Sequence, residues 1–230
     1  MPAFDKTLLP PVPDLCIERG LWQAGVSTVA GVDEAGRGAL AGPVAAGAVI
    51  LSPCSSSTEP LKGVRDSKQL TPSQREAARE LIIENALSYA VGYASAEEID
   101  QLGILPATRL AMWRAIESLS AEPAHLLLDY LFLPEISLPQ TALTKGDCRS
   151  LSIAAASILA KTGRDAILCE FDQTYPGYGF SAHKGYGTQA HRAALKRLGP
   201  CPIHRLSFTL LEDPGLADDE LRLEGNIRRF

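Results

Sequence analysis

Between residues 28 and 51, two apolar segments lie on either side of a short glycine-rich turn. The first segment, TVAGV, runs directly into two adjacent acids, Asp33 and Glu34. The turn reads AGRGALA, and the second apolar segment is GPVAAGAVIL. Segments rich in Val, Ala and Ile on both sides of a glycine-rich turn predict two neighbouring β-strands. The two acids therefore lie at the end of a buried strand, where an unpaired charge is costly.

Helix and strand patterns alternate along the rest of the chain. Thr71 before Pro72, and Ser95 with Glu98 three residues later, are signals that begin helices. Further strands are predicted at SYAVGYAS, AHLLLDYLFL and QTALTKGD, and further helices at DLCIERGLWQAG, ILPATRLAMWRAIESLS, SLSIAAASILAKTGRDAILCEFDQTY and QAHRAALKRLG. This order predicts an α/β fold, with helices packed on a mixed β-sheet and a small, mostly helical C-terminal part. The small residues that begin the long helix predict close packing against the sheet.

The composition is that of an ordinary globular protein. Hydrophobic residues make up 46% of the chain and charged residues 21%. Its length of 230 residues is sufficient for one substantial domain. No apolar run reaches membrane-spanning length, and the N-terminal residues lack the apolar core of a signal peptide, so we expect no membrane association. The five cysteines are odd in number and form no C-x-x-C pair. We therefore expect buried free thiols in a reducing cytoplasm.

The charge is distributed unevenly along the chain. Although the net charge is −5, residues 140–210 carry nine Lys or Arg against four Asp or Glu, with three histidines besides. A local basic face can bind phosphates even on an acidic protein. A solvated helix face explains the same excess equally well, so charge alone leaves both interpretations open.

Four acids share one kind of position in the predicted sheet. Asp33 and Glu34 end the first strand. Asp129 lies in or at the end of an apolar strand, and Asp147 ends another strand before a helix. Each has an ordinary alternative role. Asp147 can cap the following helix and Asp129 can accept hydrogen bonds at a strand end, whereas Glu34 can pair with Arg37.

Taken together, the four carboxylates favour a metal site. Neighbouring strand ends can bring them together, and carboxylates ~4 Å apart repel by about 4 kcal/mol per pair at an effective dielectric near 20. A cation would neutralise that repulsion. Ligation by oxygen alone suits Mg²⁺ or Mn²⁺ rather than zinc. Two such ions about 3.5–4 Å apart can promote in-line attack on a phosphodiester.

Motifs along the chain resemble those of the ribonuclease HII family in the same order. They are GVDEAGRG, RDSKQLT, LLLD, TKGD, SIAAASILAKTGRD, YGFSAHKGYGT and HRLSF, and the resemblance spans about residues 19–208. It implies a ribonuclease H-like fold and metal-dependent endonucleolytic hydrolysis of RNA within RNA–DNA hybrids. It also implies incision on the 5′ side of single ribonucleotides embedded in duplex DNA, as in ribonucleotide excision repair, leaving 3′-hydroxyl and 5′-phosphate ends.

The resemblance also implies roles for individual residues. The family's catalytic, metal-binding carboxylates fall on Asp33, Glu34, Asp129 and Asp147. Its ribose-sensing loop and its substrate-contacting tyrosine fall on Gly36, Arg37, Gly38 and Tyr186. Glycines in such a loop let the backbone approach a sugar closely, and the 2′-hydroxyl is the group that distinguishes RNA from DNA.

Other polar residues near these motifs are candidates for phosphate contacts. Ser67 and Lys68 precede a capped helix, although an ordinary surface loop explains them equally well. Lys184 belongs to the basic span and is a further candidate. Asp165 follows Lys161 by four residues within a predicted helix, so we interpret it as half of an intrahelical ion pair and not as a fifth ligand.

With this resemblance the chain divides into four segments. They are an N-terminal arm at residues 1–18, a ribonuclease H-like catalytic domain at 19–175, a substrate-contacting helical segment at 176–210 and an acidic tail at 211–230. We expect a cytoplasmic monomer that binds RNA–DNA hybrids and ribonucleotide-containing duplex DNA and uses Mg²⁺ or Mn²⁺ in a two-metal mechanism. The alternatives are a non-catalytic nucleic-acid-binding relative, which the four carboxylates disfavour, and a phosphotransferase, which the lack of a G-K-[ST] motif disfavours.

Overall fold

The fold is built on one five-stranded mixed sheet. The computed structural model describes residues 9–53 and 61–211. Its strands are β1 (Val29–Ala35), β2 (Val44–Leu51), β3 (Ala86–Ala94), β4 (His125–Asp129) and β5 (Gln140–Leu143). Their order across the sheet is β3-β2-β1-β4-β5. Because β1, β2 and β3 pair antiparallel and β4 and β5 run parallel to β1, the predicted mixed sheet is confirmed.

Helices precede, connect and follow the strands. In the described residues they are α1 (Cys16–Gln23), α2 (Pro72–Asn85), α3 (Ala96–Leu102), α4 (Ile104–Glu117), α5 (Leu151–Thr174), α6 (Phe180–His183) and α7 (Gln189–Leu198). Thr71 and Ser95 begin α2 and α3, each within a capping box. Both predicted caps are therefore confirmed, and they satisfy backbone N–H groups that a helix start leaves unpaired.

The long helix α5 crosses one face of the sheet at close range. A Cβ atom at Gly31 would lie 2.2 Å from the backbone of Ser152, and one at Gly47 would lie 2.2 Å from the carbonyl oxygen of Ala156. Only glycine permits this approach, and the small residues of α5 provide the matching surface, as predicted. The opposite face of the sheet is covered by α4, whose buried residues include Met112.

The C-terminal part packs α6 and α7 around an aromatic cluster. Phe180 and Tyr178 stack with their ring centroids 5.2 Å apart, and His191 and His204 lie against Phe180. The predicted helix over QAHRAALKRLG is confirmed as α7. The division of the chain near residue 175 remains a prediction.

Three sequence-based expectations concern other parts of the chain. Residues 1–8 of the arm, residues 212–230 of the tail and Cys54 lie outside the described residues.

The described cysteines are free, but Cys16 is exposed and the other three are only half-buried. The expectation of buried thiols is therefore wrong for these four. Within residues 9–53 and 61–211, no helix combines the length and apolar character needed to cross a membrane.

Candidate active site

Strand pairing places Asp33 and Asp129 side by side. β1 and β4 are parallel neighbours with Val32 opposite Leu128, so the next residues of the two strands are Asp33 and Asp129. Side chains alternate along a strand, so Asp33 lies on the same face of the sheet as Gly31, which is the face that α5 covers. Asp33 is buried and Asp129 is half-buried.

Asp147 reaches the same region from a short turn. It lies in the 3₁₀ turn Gly146–Cys148, which follows β5. The prediction that Asp147 ends a strand is wrong, because β5 already ends at Leu143. The alternative that Asp147 caps the long helix is also wrong, since Ser150 caps α5 with its own side chain.

Three of the four predicted carboxylates converge at this point. Oxygen atoms of Asp33, Asp129 and Asp147 lie within 4.8 Å of one another. The Gly146 N–H donates a hydrogen bond to Asp129 Oδ1 at 2.8 Å, which holds the turn against the end of β4. Asp147 Oδ1 is buried without a hydrogen-bond partner. Such an oxygen is costly unless a cation binds it.

Glu34 lies at the edge of this cluster. Its Oε1 accepts a hydrogen bond from Arg37 Nη1 at 3.0 Å, so the alternative role of Glu34, pairing with Arg37, is present in the structure. Its Oε2 is buried without a partner, like the unpaired oxygen of Asp147. One carboxylate oxygen of Glu34 therefore binds Arg37 of the adjoining loop, and the other is available to a ligand.

Burial and mutual repulsion disfavour the charged forms of these carboxylates. Burial raises the pKa of Asp33 well above its usual range, and repulsion from Glu34 and Asp129 raises it further. Burial and repulsion from Asp147 raise the pKa of Asp129 to about 6. Desolvation by neighbouring protein atoms acts against the charge of Lys68, but attraction to Asp147 and other carboxylates outweighs this and raises the pKa of Lys68. A bound cation would favour the ionised carboxylates instead.

The available donors fit a hard divalent cation. The converging atoms of Asp33, Asp129 and Asp147 are all carboxylate oxygens, as Mg²⁺ and Mn²⁺ prefer. A second group, formed by Asp66, Asp147 and Cys148, also has ligand atoms within 4.8 Å of one another. It fits less well, because burial and the nearby Asp147 raise the pKa of the Cys148 thiol to about 11. The residues of the first group are therefore the better candidates to hold a metal.

The loop Gly36-Arg37-Gly38 continues directly from β1. Gly36 has a φ of 89°, and a Cβ atom there would lie 2.0 Å from Arg164 Nε. Both observations require glycine at this position. Gly38 is exposed and Arg37 is half-buried, so the loop offers its backbone to solvent beside Glu34. This is the access that contact with a sugar requires.

Tyr186 lies close to the segment that follows this loop, because its neighbour Gly185 is hydrogen-bonded to Leu40. The Leu40 N–H donates to the Gly185 carbonyl at 2.8 Å. The ring of Tyr186 packs against two cations, with Arg164 Cζ 5.4 Å and Lys161 Nζ 5.7 Å from its centroid. Tyr186 remains 36% exposed, so part of the ring is open to a ligand.

The three candidate phosphate contacts occupy different environments. Ser67 is buried and shares a 3.1 Å hydrogen bond with the Ser157 hydroxyl, so the surface-loop alternative is wrong for Ser67. The Lys68 side chain is 81% exposed, and its Nζ lies 4.0 Å from Asp147 Oδ2, at the opening of the carboxylate cluster. Lys184 Nζ donates to the Ser181 carbonyl. Their contacts with phosphate remain predictions.

Sequence reasoning missed the position of two arginines. Arg164 and Arg205 count toward the basic excess of residues 140–210, yet both are fully buried and belong to no surface. Their presence within the KTGRD and HRLSF segments of the family motifs was the available signal. The pairing predicted for Asp165 is confirmed, because Lys161 Nζ lies 2.7 Å from Asp165 Oδ1.

Known proteins match this chain over most of its length. A family model described as Ribonuclease HII matches residues 30–211. A ribonuclease HII of Synechococcus sp. (strain JA-3-3Ab) is 57% identical over 201 residues, covering 87% of this chain and 90% of that protein. A ribonuclease HII of Dehalococcoides mccartyi is 51% identical over 200 residues, covering 85% of this chain and 92% of that protein.

The fold has matches among solved structures as well. The crystal structure of the ribonuclease H2 from Pyrococcus horikoshii OT3 superposes with a TM-score of 0.67 at 29% sequence identity. The match covers 80% of this chain and 94% of the other. The ribonuclease H-like fold expected from the motifs is thereby confirmed.

Proposed function

Because this chain belongs to the ribonuclease HII family of nucleases, we propose that it incises duplex DNA on the 5′ side of single embedded ribonucleotides. Family membership makes it a hydrolase with ribonuclease H activity on RNA–DNA hybrids. The incision at single ribonucleotides, with 3′-hydroxyl and 5′-phosphate products, is the finer part of the proposal. The observation that most directly supports metal-dependent cleavage by this chain is the convergence of Asp33, Asp129 and Asp147, whose oxygen atoms lie within 4.8 Å of one another.

We assign metal binding to the predicted carboxylates Asp33, Glu34, Asp129 and Asp147. Two Mg²⁺ or Mn²⁺ ions held there would supply Lewis-acid stabilisation of the phosphoryl group and a more acidic attacking water. The protein's own contribution is to fix the ligand oxygens. The Glu34 N–H donates to Asp33 Oδ1 at 2.7 Å, and the Gly146 N–H orients Asp129 in the same way.

Recognition of the ribonucleotide falls to groups beside the carboxylates. Contacts with phosphate position a protein on nucleic acid without identifying the sugar. The exposed backbone of Gly38, four residues after Glu34, can contact the 2′-hydroxyl, and the exposed part of the Tyr186 ring can contact the adjoining sugar. Arg37 is placed to hold a phosphate while it is paired with Glu34.

The proposal is tested by cleavage of duplex DNA that contains one ribonucleotide. We expect incision in Mg²⁺ or Mn²⁺ at the phosphodiester 5′ to the ribonucleotide, with product ends identified by mass spectrometry. An all-DNA duplex of the same sequence is the substrate control, and Asp33→Asn is the protein control. Cleavage of a uniform hybrid without incision at the single ribonucleotide would restrict the function to hybrid hydrolysis. Stabilisation by ATP, without any cleavage, would favour the phosphotransferase alternative.

A further inference from the structure

Two arginines lie behind the Gly36-Arg37-Gly38 loop, and both are fully buried. Among the described residues, neither Arg164 nor Arg205 has a carboxylate within 4.0 Å. Removing an unpaired cation from water is costly. Burial accordingly lowers the pKa of Arg205 to about 9. An apolar side chain at either position would leave three backbone carbonyls without these donors, so the role of each cation lies in the carbonyls that it binds.

Arg205 donates a hydrogen bond from each of its guanidinium nitrogens to a backbone carbonyl of the loop region. Nη2 donates to Gly36 O and Nη1 to Arg37 O, both at 2.8 Å. Nε donates to Gly42 O at 3.0 Å. Arg164 makes the corresponding three bonds to the carbonyls of Ala41, Pro43 and Lys184. Arg205 therefore fixes the orientation of the two peptide groups that follow Gly36 and Arg37.

This orientation decides the direction of the N–H groups in the loop. In a planar trans peptide, the C=O and N–H bonds point in opposite directions. Because the carbonyls of Gly36 and Arg37 point toward Arg205, the N–H groups of Arg37 and Gly38 point away from it. Neither N–H donates a hydrogen bond to another described residue. The loop thus presents two adjacent unpaired donors on its outer side.

We propose that Arg205 is a positioning residue for ribonucleotide recognition, which acts by turning the N–H groups of Arg37 and Gly38 toward the substrate. The 2′-hydroxyl of the ribonucleotide, which the all-DNA duplex lacks, can accept from these donors. The cation behind the loop also favours an anionic ligand on its outer side. The inference rests on the proposed function, because its ligand is the ribonucleotide-containing duplex.

Arg205→Lys tests this role because it keeps the charge and removes the planar fork of donors. Binding is measured by fluorescence anisotropy in EDTA, with a duplex that contains one ribonucleotide and with an all-DNA duplex. We expect the preference of the wild type for the ribonucleotide to fall about tenfold in the variant, as loss of a hydrogen bond to the sugar predicts. Affinity for the all-DNA duplex should change by no more than about twofold, since phosphate contacts elsewhere remain.

Arg114→Lys is the matched control for the same chemical change. Arg114 also donates to a carbonyl, that of Tyr93, and to the Glu98 carboxylate, but it donates to no carbonyl of the Gly36-Arg37-Gly38 loop. This control should keep the wild-type preference. An equal loss of affinity for both duplexes in Arg205→Lys would make Arg205 a purely structural residue and overturn the inference.

A second measurement uses the wild-type chain and does not depend on whether the variant folds. The backbone amide resonances of Arg37 and Gly38 are followed by NMR in EDTA. We expect them to shift on addition of the ribonucleotide duplex, with a smaller shift for the all-DNA duplex. Equal shifts for both duplexes would overturn the inference. Wild-type cleavage is a separate readout, so an enzyme that incises normally but shows equal shifts would retain the proposed function alone.

Discussion

The carboxylate cluster and the arginine pair both bury charge, but they treat it in opposite ways. Around Asp33, Asp129 and Asp147, like charges face each other across less than 4.8 Å. Two buried carboxylate oxygens of the site, on Glu34 and Asp147, have no partner. Behind the loop, by contrast, every guanidinium nitrogen of Arg164 and Arg205 donates to a carbonyl.

The contrast distinguishes two uses of a buried charge. An incomplete set of partners marks a place where a ligand completes the site, because an unsatisfied buried charge is costly in the free protein. A complete set of backbone partners marks a place where the chain itself is held. The first arrangement predicts large effects on chemistry and a gain in stability when charge is removed. The second predicts effects on recognition.

The largest expected effect is the loss of activity in Asp129→Asn. This change keeps the side-chain shape and removes one negative ligand, so kcat should fall by more than the roughly 100-fold that loss of a hydrogen-bond partner of a metal ligand costs. Cleavage of the single-ribonucleotide duplex in saturating Mg²⁺ is the measurement. Asp165→Asn is the matched control and should retain nearly wild-type activity, because Asp165 is paired with Lys161. Near-normal cleavage by Asp129→Asn would remove Asp129 from the site.

A smaller effect is expected at the recognition end, where Tyr186 is replaced. Tyr186→Ala should lower kcat/KM on the single-ribonucleotide duplex by about tenfold or more, since stacking on an aromatic ring contributes about 1–3 kcal/mol. Tyr186→Phe loses only the hydroxyl and should lose less. The same rates are measured on a uniform RNA–DNA hybrid. If Tyr186→Ala lowers both rates equally and also lowers the Tm by several degrees, Tyr186 has a packing role and does not recognise the sugar.

The smallest expected effect is a pH-dependent gain in the stability of metal-free Asp129→Asn. The pKa of Asp129 is raised from 3.8 to about 6 in the folded protein, so the folded state binds the proton more tightly than the unfolded state. Its contribution to stability is therefore present at low pH and is lost as the pH rises from about 4 through 6. In EDTA the variant should melt above the wild type at pH 7.5, and the difference should shrink at pH 5.

The test compares the melting temperatures of the variant and the wild type at each pH, because the titration of His191 changes the stability of both proteins in the opposite direction. Burial lowers the pKa of His191 from 6.5 to about 4, so its contribution to stability grows as the pH rises between these two values. His191 is present in both proteins and cancels in the comparison. A melting difference that is equal at both pH values would show that Asp129 is not strained by the neighbouring carboxylates.

The amino-acid sequence by itself determined the features that depend on residues close to one another along the chain. The caps at Thr71 and Ser95 and the pair formed by Lys161 and Asp165 each join residues three or four positions apart, so their partners are visible in the sequence. The strand on which Asp33 lies was also predictable, because its apolar residues precede the acid directly.

Only the tertiary structure decided the features that join distant segments. Asp147 was predicted at a strand end but lies in a turn, and its position depends on how that turn packs against β4. Arg205 was counted as a surface charge but bonds to carbonyls of Gly36 and Arg37, which precede it by 169 and 168 residues. Every residue has a carbonyl, so a side chain that binds the backbone leaves no complementary residue type for the sequence to reveal. Carboxylates that need a metal are visible as residue types, whereas an arginine that holds a loop becomes visible only when the chain has folded around it.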